Sequence, residues 1–226
     1  MATCKWCRRS GWFLLLTEDG VCKTCNPGIA LEVASRGRVI TESMDFVRNS
    51  KKLDTALSRC DVIIQQASAL VPYEEAGVPT IQPAPSALVQ QYKRAKDALI
   101  RNSLEEEFGE VQRKVALTTG SKSKVTHLQK LALRVHDFRG RATDLKALDD
   151  LERRVRAAIH STQLEGYLDQ AKRFEFKGNK KKALDLYYDA LYFLKHDDID
   201  DSLQTEHIKA LEAKIEQLGG RREPSA

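Results

Sequence analysis

Two pairs of cysteines near the N-terminus constrain the fold of this chain more than any other feature. Cys4 and Cys7 form the first pair, Cys22 and Cys25 form the second, and fourteen residues separate the pairs. Two residues between paired cysteines allow one tight turn to direct both sulfurs at a single ion, and two such pairs are typical of a structural zinc site. We therefore expect these four cysteines to hold one structural Zn²⁺ ion.

Other uses of paired cysteines fit the sequence less well. A thioredoxin-like redox site needs one Cys-x-x-Cys motif at the end of a strand in a βαβ unit, and no such unit is predicted here. A catalytic zinc keeps an open coordination position, which four cysteines would close. An iron–sulfur cluster or a rubredoxin-like iron uses similar ligands and is the alternative metal centre.

The segments around the second cysteine pair predict a small zinc finger that leads into a helix. We expect a strand over 12–16, a turn at Asp19-Gly20 and a return strand beginning at Val21. After Pro27, apolar residues recur at helical spacing, at Ile29, Val33, Ile40, Met44 and Val47. A knuckle, a β-hairpin and a second knuckle that opens a helix resemble the treble-clef class of zinc fingers. That class binds both nucleic acids and proteins, so the resemblance implies a shape rather than a function.

The rest of the chain is predicted to be helical. Aromatic residues make up only 7% of it, with 12 glycines and 6 prolines, a profile that favours helices over a β-sandwich. Helices are expected over about 50–71, from near Ser86 to 117, and over 122–138 and 143–160. Cys60 falls on the apolar stripe of the first of these and is expected to be a buried small hydrophobe. Four prolines within 71–86 are expected to exclude helix there.

The C-terminal third carries a recognisable pattern. Thr162 and Glu165 have the spacing of a capping box that would start a new helix. From Tyr167 to Leu194 the sequence resembles one tetratricopeptide repeat. The residues that carry this resemblance are Ala171, Phe174, Gly178, Ala183, Tyr187 and Ala190. A following helix over about 202–218 resembles the capping helix of such arrays, and a single unit must pack on the helices that precede it. As a whole, the chain resembles uncharacterised bacterial and phage proteins that place a four-cysteine knuckle ahead of helices.

The expected fold class is mainly α, with a small N-terminal Cys4 zinc knuckle and β-hairpin followed by helical hairpins and a TPR-like C-terminal module. Five divisions are predicted. They are a zinc finger with its helix (1–49), a helical hairpin with a Pro-rich connection over 71–86 (50–118), a basic helical pair (119–160), a TPR-like hairpin with capping helix (161–220) and a tail (221–226).

Positive charge is concentrated in the central helices. The chain has a formal net charge of +5, and the excess lies in the N-terminal segment and in 112–164. Candidate phosphate contacts in the basic helices are Lys122, Lys124, Lys130, Arg134, Arg139, Arg141, Arg153, Arg154 and Arg156. Trp6 and Trp12 of the finger could add stacking on exposed bases, while Lys5, Arg8, Arg9 and Lys23 offset the charge of a zinc–thiolate centre. Asp149, Asp150 and Glu152 interrupt the basic run, which is more typical of a solvated helical surface.

No catalytic motif is present in the sequence, which has no HExxH, Walker or GxSxG pattern. The chain is therefore expected not to be an enzyme but a cytoplasmic adaptor that binds a protein partner through the TPR-like module, with Lys172 and Asp189 as candidate contacts. A nucleic-acid-binding accessory protein is the alternative. No apolar run reaches the length of a membrane span, so no membrane partner is expected. The partner's identity and the oligomeric state are not predicted.

Overall fold

The computed structural model describes residues 1–197 and 201–221, and within them the chain is mainly helical, as predicted. A short antiparallel hairpin that bears the cysteines precedes the helices. Among the described helices, none combines the length and the apolar character needed to cross a bilayer. All but the first residue of the predicted tail lies outside the described residues. The elements are β1 (Ala2–Thr3), β2 (Ser10–Gly11), α1 (Asn26–Asn49), α2 (Leu53–Glu75), α3 (Pro85–Leu117), α4 (Ser121–Arg139), α5 (Lys146–Phe176), α6 (Lys180–Lys195) and α7 (Asp201–Gln217).

The N-terminal hairpin lies closer to the start of the chain than predicted. Strands β1 and β2 pair with Ala2 opposite Gly11, and the expected strand over 12–16 is reduced to one bridge between Leu16 and Cys22. The prediction was wrong because 12–15 have no partner strand: Leu14 and Leu16 turn inward to the core, while their neighbours point outward. The predicted turn is confirmed, since the N–H of Thr17 donates to the carbonyl of Val21 and Gly20 has a φ of 79°.

The chain folds as two compact units, which group it more coarsely than the sequence-based divisions. The first unit comprises Met1–Glu105 with Phe138–Leu148, and the second comprises Glu106–Asp137 with Asp149–Ala226. The first unit buries residues of the finger together with residues of α1, α2 and α3 in one core. Cys60 is fully buried there, which confirms its predicted role as a core residue, and burial raises the pKa of its thiol to about 11.

Helix α2 continues through Pro72, contrary to the expectation that the prolines would exclude helix from residue 71 onward. Pro72 has no N–H and so cannot make the helical hydrogen bond to the preceding turn. Burial of Tyr73 in the core offsets this loss and anchors the last turn. The helix ends in a Schellman motif at Gly77, whose φ is 69°. In this motif the N–H of Val78 donates to the carbonyl of Tyr73, and the N–H of Gly77 donates to that of Glu74.

Helix α5 is also longer than predicted, because it runs without a break through the position expected to start a new helix. The Thr162 hydroxyl donates to the carbonyl of Ala158 at 2.7 Å, one turn earlier. The hydroxyl thus has its hydrogen-bond partner within the helix and does not cap a new one. The helical hairpin that follows agrees with the sequence. Gly178, with a φ of 75°, ends α5, and the side chain of Asn179 accepts from the N–H of Lys182 to cap α6.

Candidate metal centre

The four predicted ligands come together in the fold. The sulfur atoms of Cys4, Cys7, Cys22 and Cys25 all lie within 4.8 Å of one another. Cys7 Sγ and Cys22 Sγ are 3.9 Å apart, close to the separation of about 3.8 Å that a tetrahedral ion with zinc–sulfur bonds near 2.3 Å imposes. Four sulfurs at this spacing form a cluster that can hold a metal ion.

Each cysteine pair is positioned by a local backbone turn. In the first knuckle, the N–H of Cys4 donates to the carbonyl of Arg9, and the N–H of Arg8 donates back to the carbonyl of Cys4. In the second, the carbonyl of Cys22 accepts from both Cys25 and Asn26, where α1 begins. The two-residue spacing thus brings each pair of sulfurs to the same side of one tight turn.

The backbone around Cys4 and Cys22 favours the thiolate form that a metal requires. Burial raises the pKa of the Cys4 thiol, but the N–H groups of Cys22, Cys7 and Trp6 donate to its sulfur and lower the pKa to about 6. The N–H of Cys25 lowers the pKa of Cys22. The pKa of Cys25 is raised to about 12, chiefly because its thiol hydrogen-bonds to the sulfur of Cys22. These donors fit a thiolate-bound ion better than four neutral thiols.

Side chains next to the first knuckle anchor the finger to α2. The ring of Trp6 lies against that of Tyr73, with centroids 4.4 Å apart. The ammonium group of Lys5 donates to the carbonyl of Gly77 at 2.9 Å. The sequence predicted different roles for these residues, base stacking for Trp6 and charge compensation for Lys5. Their partners could not be identified from the sequence, because both lie far along the chain.

Three large apolar side chains of the finger are exposed, and the sequence-based reasoning predicted an exposed role only for Trp12. Trp12, Phe13 and Leu15 point outward from the segment between the cysteine pairs. A run of five apolar residues predicts a buried strand, and no local signal in the sequence distinguishes it from an exposed loop.

Most of the nine candidate phosphate contacts are engaged within the protein. Arg139 and Arg141 belong to the first unit and the other seven to the second, so no single unit contains all nine. Arg139 also has a partner within the protein. Within the described chain, Lys122, Lys124 and Lys130 form no ion pair. The ion pairs are Arg134–Glu107, Arg141–Asp54, Arg153–Asp150, Arg154–Asp150 and Arg156–Glu152.

Two clefts in the second unit lie near candidate residues. One, of about 390 Å³, is lined by Lys122 and Lys124 but also by Glu165 and Asp169, so its charge is mixed. The other, of about 530 Å³, contains a hydrogen-bonded pair, His160 and Asp197, with the ring of Phe193 stacked on His160. No serine, threonine, cysteine or lysine is among the described residues that line this second cleft.

The candidate partner contacts are exposed on the helices of the C-terminal hairpin, Lys172 on α5 and Asp189 on α6.

Comparisons of the chain with protein families, with curated proteins and with solved structures give no match. The conclusions about function therefore depend on the residues themselves.

Proposed function

We propose that this chain is a non-catalytic adaptor that binds protein partners through the helical module formed by the C-terminal half of α5, by α6 and by α7. The observation that carries the proposal is the close packing of α5 and α6. Ala171, Ala183, Ala190 and Tyr187 are buried in one core, where the alanines allow the helices to approach and the tyrosine fills the space between them. This is the arrangement that the resemblance to a TPR-like unit implies.

Polar contacts join the three helices of this module. Glu175 on α5 accepts from the hydroxyl of Tyr187 at 3.0 Å and from the ammonium group of Lys214 at 2.7 Å, and so links three helices. A preorganised surface loses less conformational entropy on binding than a flexible one. The outward faces that carry Lys172 and Asp189 are therefore suited to recognition, and helical hairpins of this kind present extended surfaces to peptides.

In this proposal the finger has a structural role and holds one zinc ion. Four cysteine sulfurs within 4.8 Å of one another, with backbone N–H groups that favour the thiolates of Cys4 and Cys22, suit Zn²⁺ and leave no position open for a substrate. Iron is the competing metal. Elemental analysis of the purified chain should give one zinc per molecule, whereas iron at one per molecule would overturn the choice of metal and leave the adaptor proposal unaffected.

The adaptor proposal is tested by peptide selection. A display library of random peptides is selected against the full chain, and the affinities of recovered peptides are measured by calorimetry. Lys172→Glu and Asp189→Lys should each weaken these peptides by about tenfold or more with an unchanged melting temperature.

Lys51→Glu and Glu42→Lys are matched charge reversals at exposed positions of the first unit and should have no effect. The adaptor proposal fails if no peptide is recovered, or if every recovered peptide binds the two module variants as tightly as the original chain.

A further inference from the structure

The finger carries three large apolar side chains, close together in the sequence, that nothing in the described chain covers. Trp12 is 84% exposed, Phe13 is 97% exposed and Leu15 is 62% exposed. We name these three residues the apolar tip. Large exposed apolar side chains grouped in this way usually mark an interaction surface.

The side chains of the hairpin become more polar with distance from this tip. The first rung behind it holds the small residues Ala2 and Gly11. On the next, the hydroxyls of Thr3 and Ser10 hydrogen-bond to each other at 2.8 Å. The first knuckle follows, with Arg8 and Arg9 exposed and, within the described residues, without an acidic partner.

This spacing matches the depth of a membrane interface. Trp12 lies three positions after Arg9, with strand β2 between them, so about 10 Å of extended chain separates the two residues. Elements that lie in the interface bury their apolar side to a depth of about 5–10 Å, with cationic side chains at the level of the lipid phosphates. Aromatic side chains are also enriched at that level.

We propose that the finger docks on an anionic lipid surface, with the apolar tip inserted among the acyl chains and Arg8 and Arg9 bound to headgroup phosphates. The anchoring of Trp6 on Tyr73 holds the knuckle, so the tip is presented without reorganisation. We expected no membrane partner because no apolar run is long enough to span a bilayer. A peripheral contact of this kind needs no span and is independent of the adaptor proposal.

A single-stranded nucleic acid is the competing ligand, and two observations disfavour it. Leu15 has no π face on which a base can stack, but its side chain partitions readily into hydrocarbon. Residues 1–30 carry four cations against two acids, and a zinc–thiolate centre would cancel that excess. Binding to a phosphate backbone depends mainly on the number of cations, whereas insertion into lipid depends mainly on the apolar surface buried.

The test is cosedimentation of the full chain with phosphatidylcholine vesicles, with and without phosphatidylserine. The chain should bind the phosphatidylserine vesicles. Replacing Trp12, Phe13 and Leu15 together by serine should weaken binding by about a hundredfold or more, because most of the inserted area is lost. The matched control replaces Leu117, Leu133 and Phe176 by serine. These side chains are comparably exposed elsewhere, and this control should bind like the original chain.

The arginines are tested separately. Arg8→Gln and Arg9→Gln should each weaken binding to phosphatidylserine vesicles by about fivefold, while Arg101→Gln, at another exposed position, should have no effect. The proposal is overturned if the chain does not sediment with these vesicles, or if the triple-serine variant binds as well as the original. It is also overturned if a single-stranded oligonucleotide binds through the tip while vesicles do not. All finger variants should keep their metal content, and none changes the C-terminal module.

Discussion

The hydroxyl of Tyr73 donates to Glu32 at 2.6 Å, and this bond joins the last turn of α2 to α1. The opposite oxygen of the same carboxylate accepts from Arg36. Because Trp6 packs on the ring of Tyr73, one side chain connects the finger with both helices. The stability of the finger and the packing of α1 on α2 are therefore coupled through this tyrosine.

Replacing Tyr73 by phenylalanine should lower the free energy of unfolding by about 1 kcal/mol near neutral pH, because it removes a charge-assisted hydrogen bond to a partly exposed carboxylate. The bond from Tyr73 and the guanidinium of Arg36 lower the pKa of Glu32. A lowered pKa stabilises the fold above the unfolded value of about 4.3, and this stabilisation is lost as the pH falls through the lower folded value.

Urea unfolding across this range should therefore show the difference between the original chain and Tyr73→Phe shrinking as the solution is acidified. Tyr92→Phe is the control, because Tyr92 lies in the same core and donates to no carboxylate among the described residues. A difference that stays constant down to low pH would show that Glu32 is not the partner whose ionisation matters.

Replacing Cys22 by serine should release the metal and unfold the finger. Cys22 is buried in the core of the first unit, so the loss should extend to α1 and lower the free energy of unfolding by several kcal/mol. Cys60→Ala removes another buried cysteine from the same core and is the matched control. It should retain the full metal content and cost about 1–2 kcal/mol. Equal metal content in both variants, measured by elemental analysis, would contradict the assignment of the ligands.

Local spacing predicted which four cysteines come together, while the features that depend on distant partners were not predictable. The two-residue interval acts through a single backbone turn, so Cys4 and Cys7 could be assigned without knowing the rest of the fold. The docking of Trp6 depends on Tyr73, and no pattern near Trp6 indicates that partner. The exposure of Trp12 and Phe13 depends on the absence of a neighbouring strand.

The helices were predicted from apolar periodicity, and the errors occurred where a local rule was overridden by packing. Pro72 should end a helix, but burial of the adjacent Tyr73 stabilises one more turn. Thr162 has the spacing of a capping residue, but it lies in the middle of α5 and bonds to the preceding turn. Propensity acts over a few residues, whereas the position of a helix end also depends on what the last turn contacts.

Lys96 and Asp61 should respond unequally to substitution. Lys96 is buried and its ammonium group lies 2.6 Å from the carboxylate of Asp61, which is about half exposed. Asp61→Asn removes the countercharge and leaves a buried cation, so it should cost about 1–3 kcal/mol. Lys96→Met removes the buried charge and keeps the volume, so it should be neutral or slightly stabilising. Chemical denaturation measures both, and equal losses from the two variants would mean that the ion pair itself is a net source of stability.

Two glycines that differ only in backbone conformation should respond oppositely to alanine. Gly178 has a φ of 75°, whereas Gly109 lies inside α3, and a Cβ at either position meets no atom within 4 Å. Because neither substitution causes a clash, the backbone conformation alone determines the change in the free energy of unfolding. Gly178→Ala should cost about 1–2 kcal/mol, since alanine disfavours the left-handed region. Gly109→Ala should stabilise by about 0.5–1 kcal/mol, because alanine favours the helix and restricts the unfolded chain.

Gly178→Asn should have a stability between those of the alanine variant and the original chain, because asparagine tolerates the left-handed region. Urea unfolding of the three variants measures these differences, and a Gly178→Ala variant as stable as the original chain would contradict the left-handed turn that joins α5 to α6.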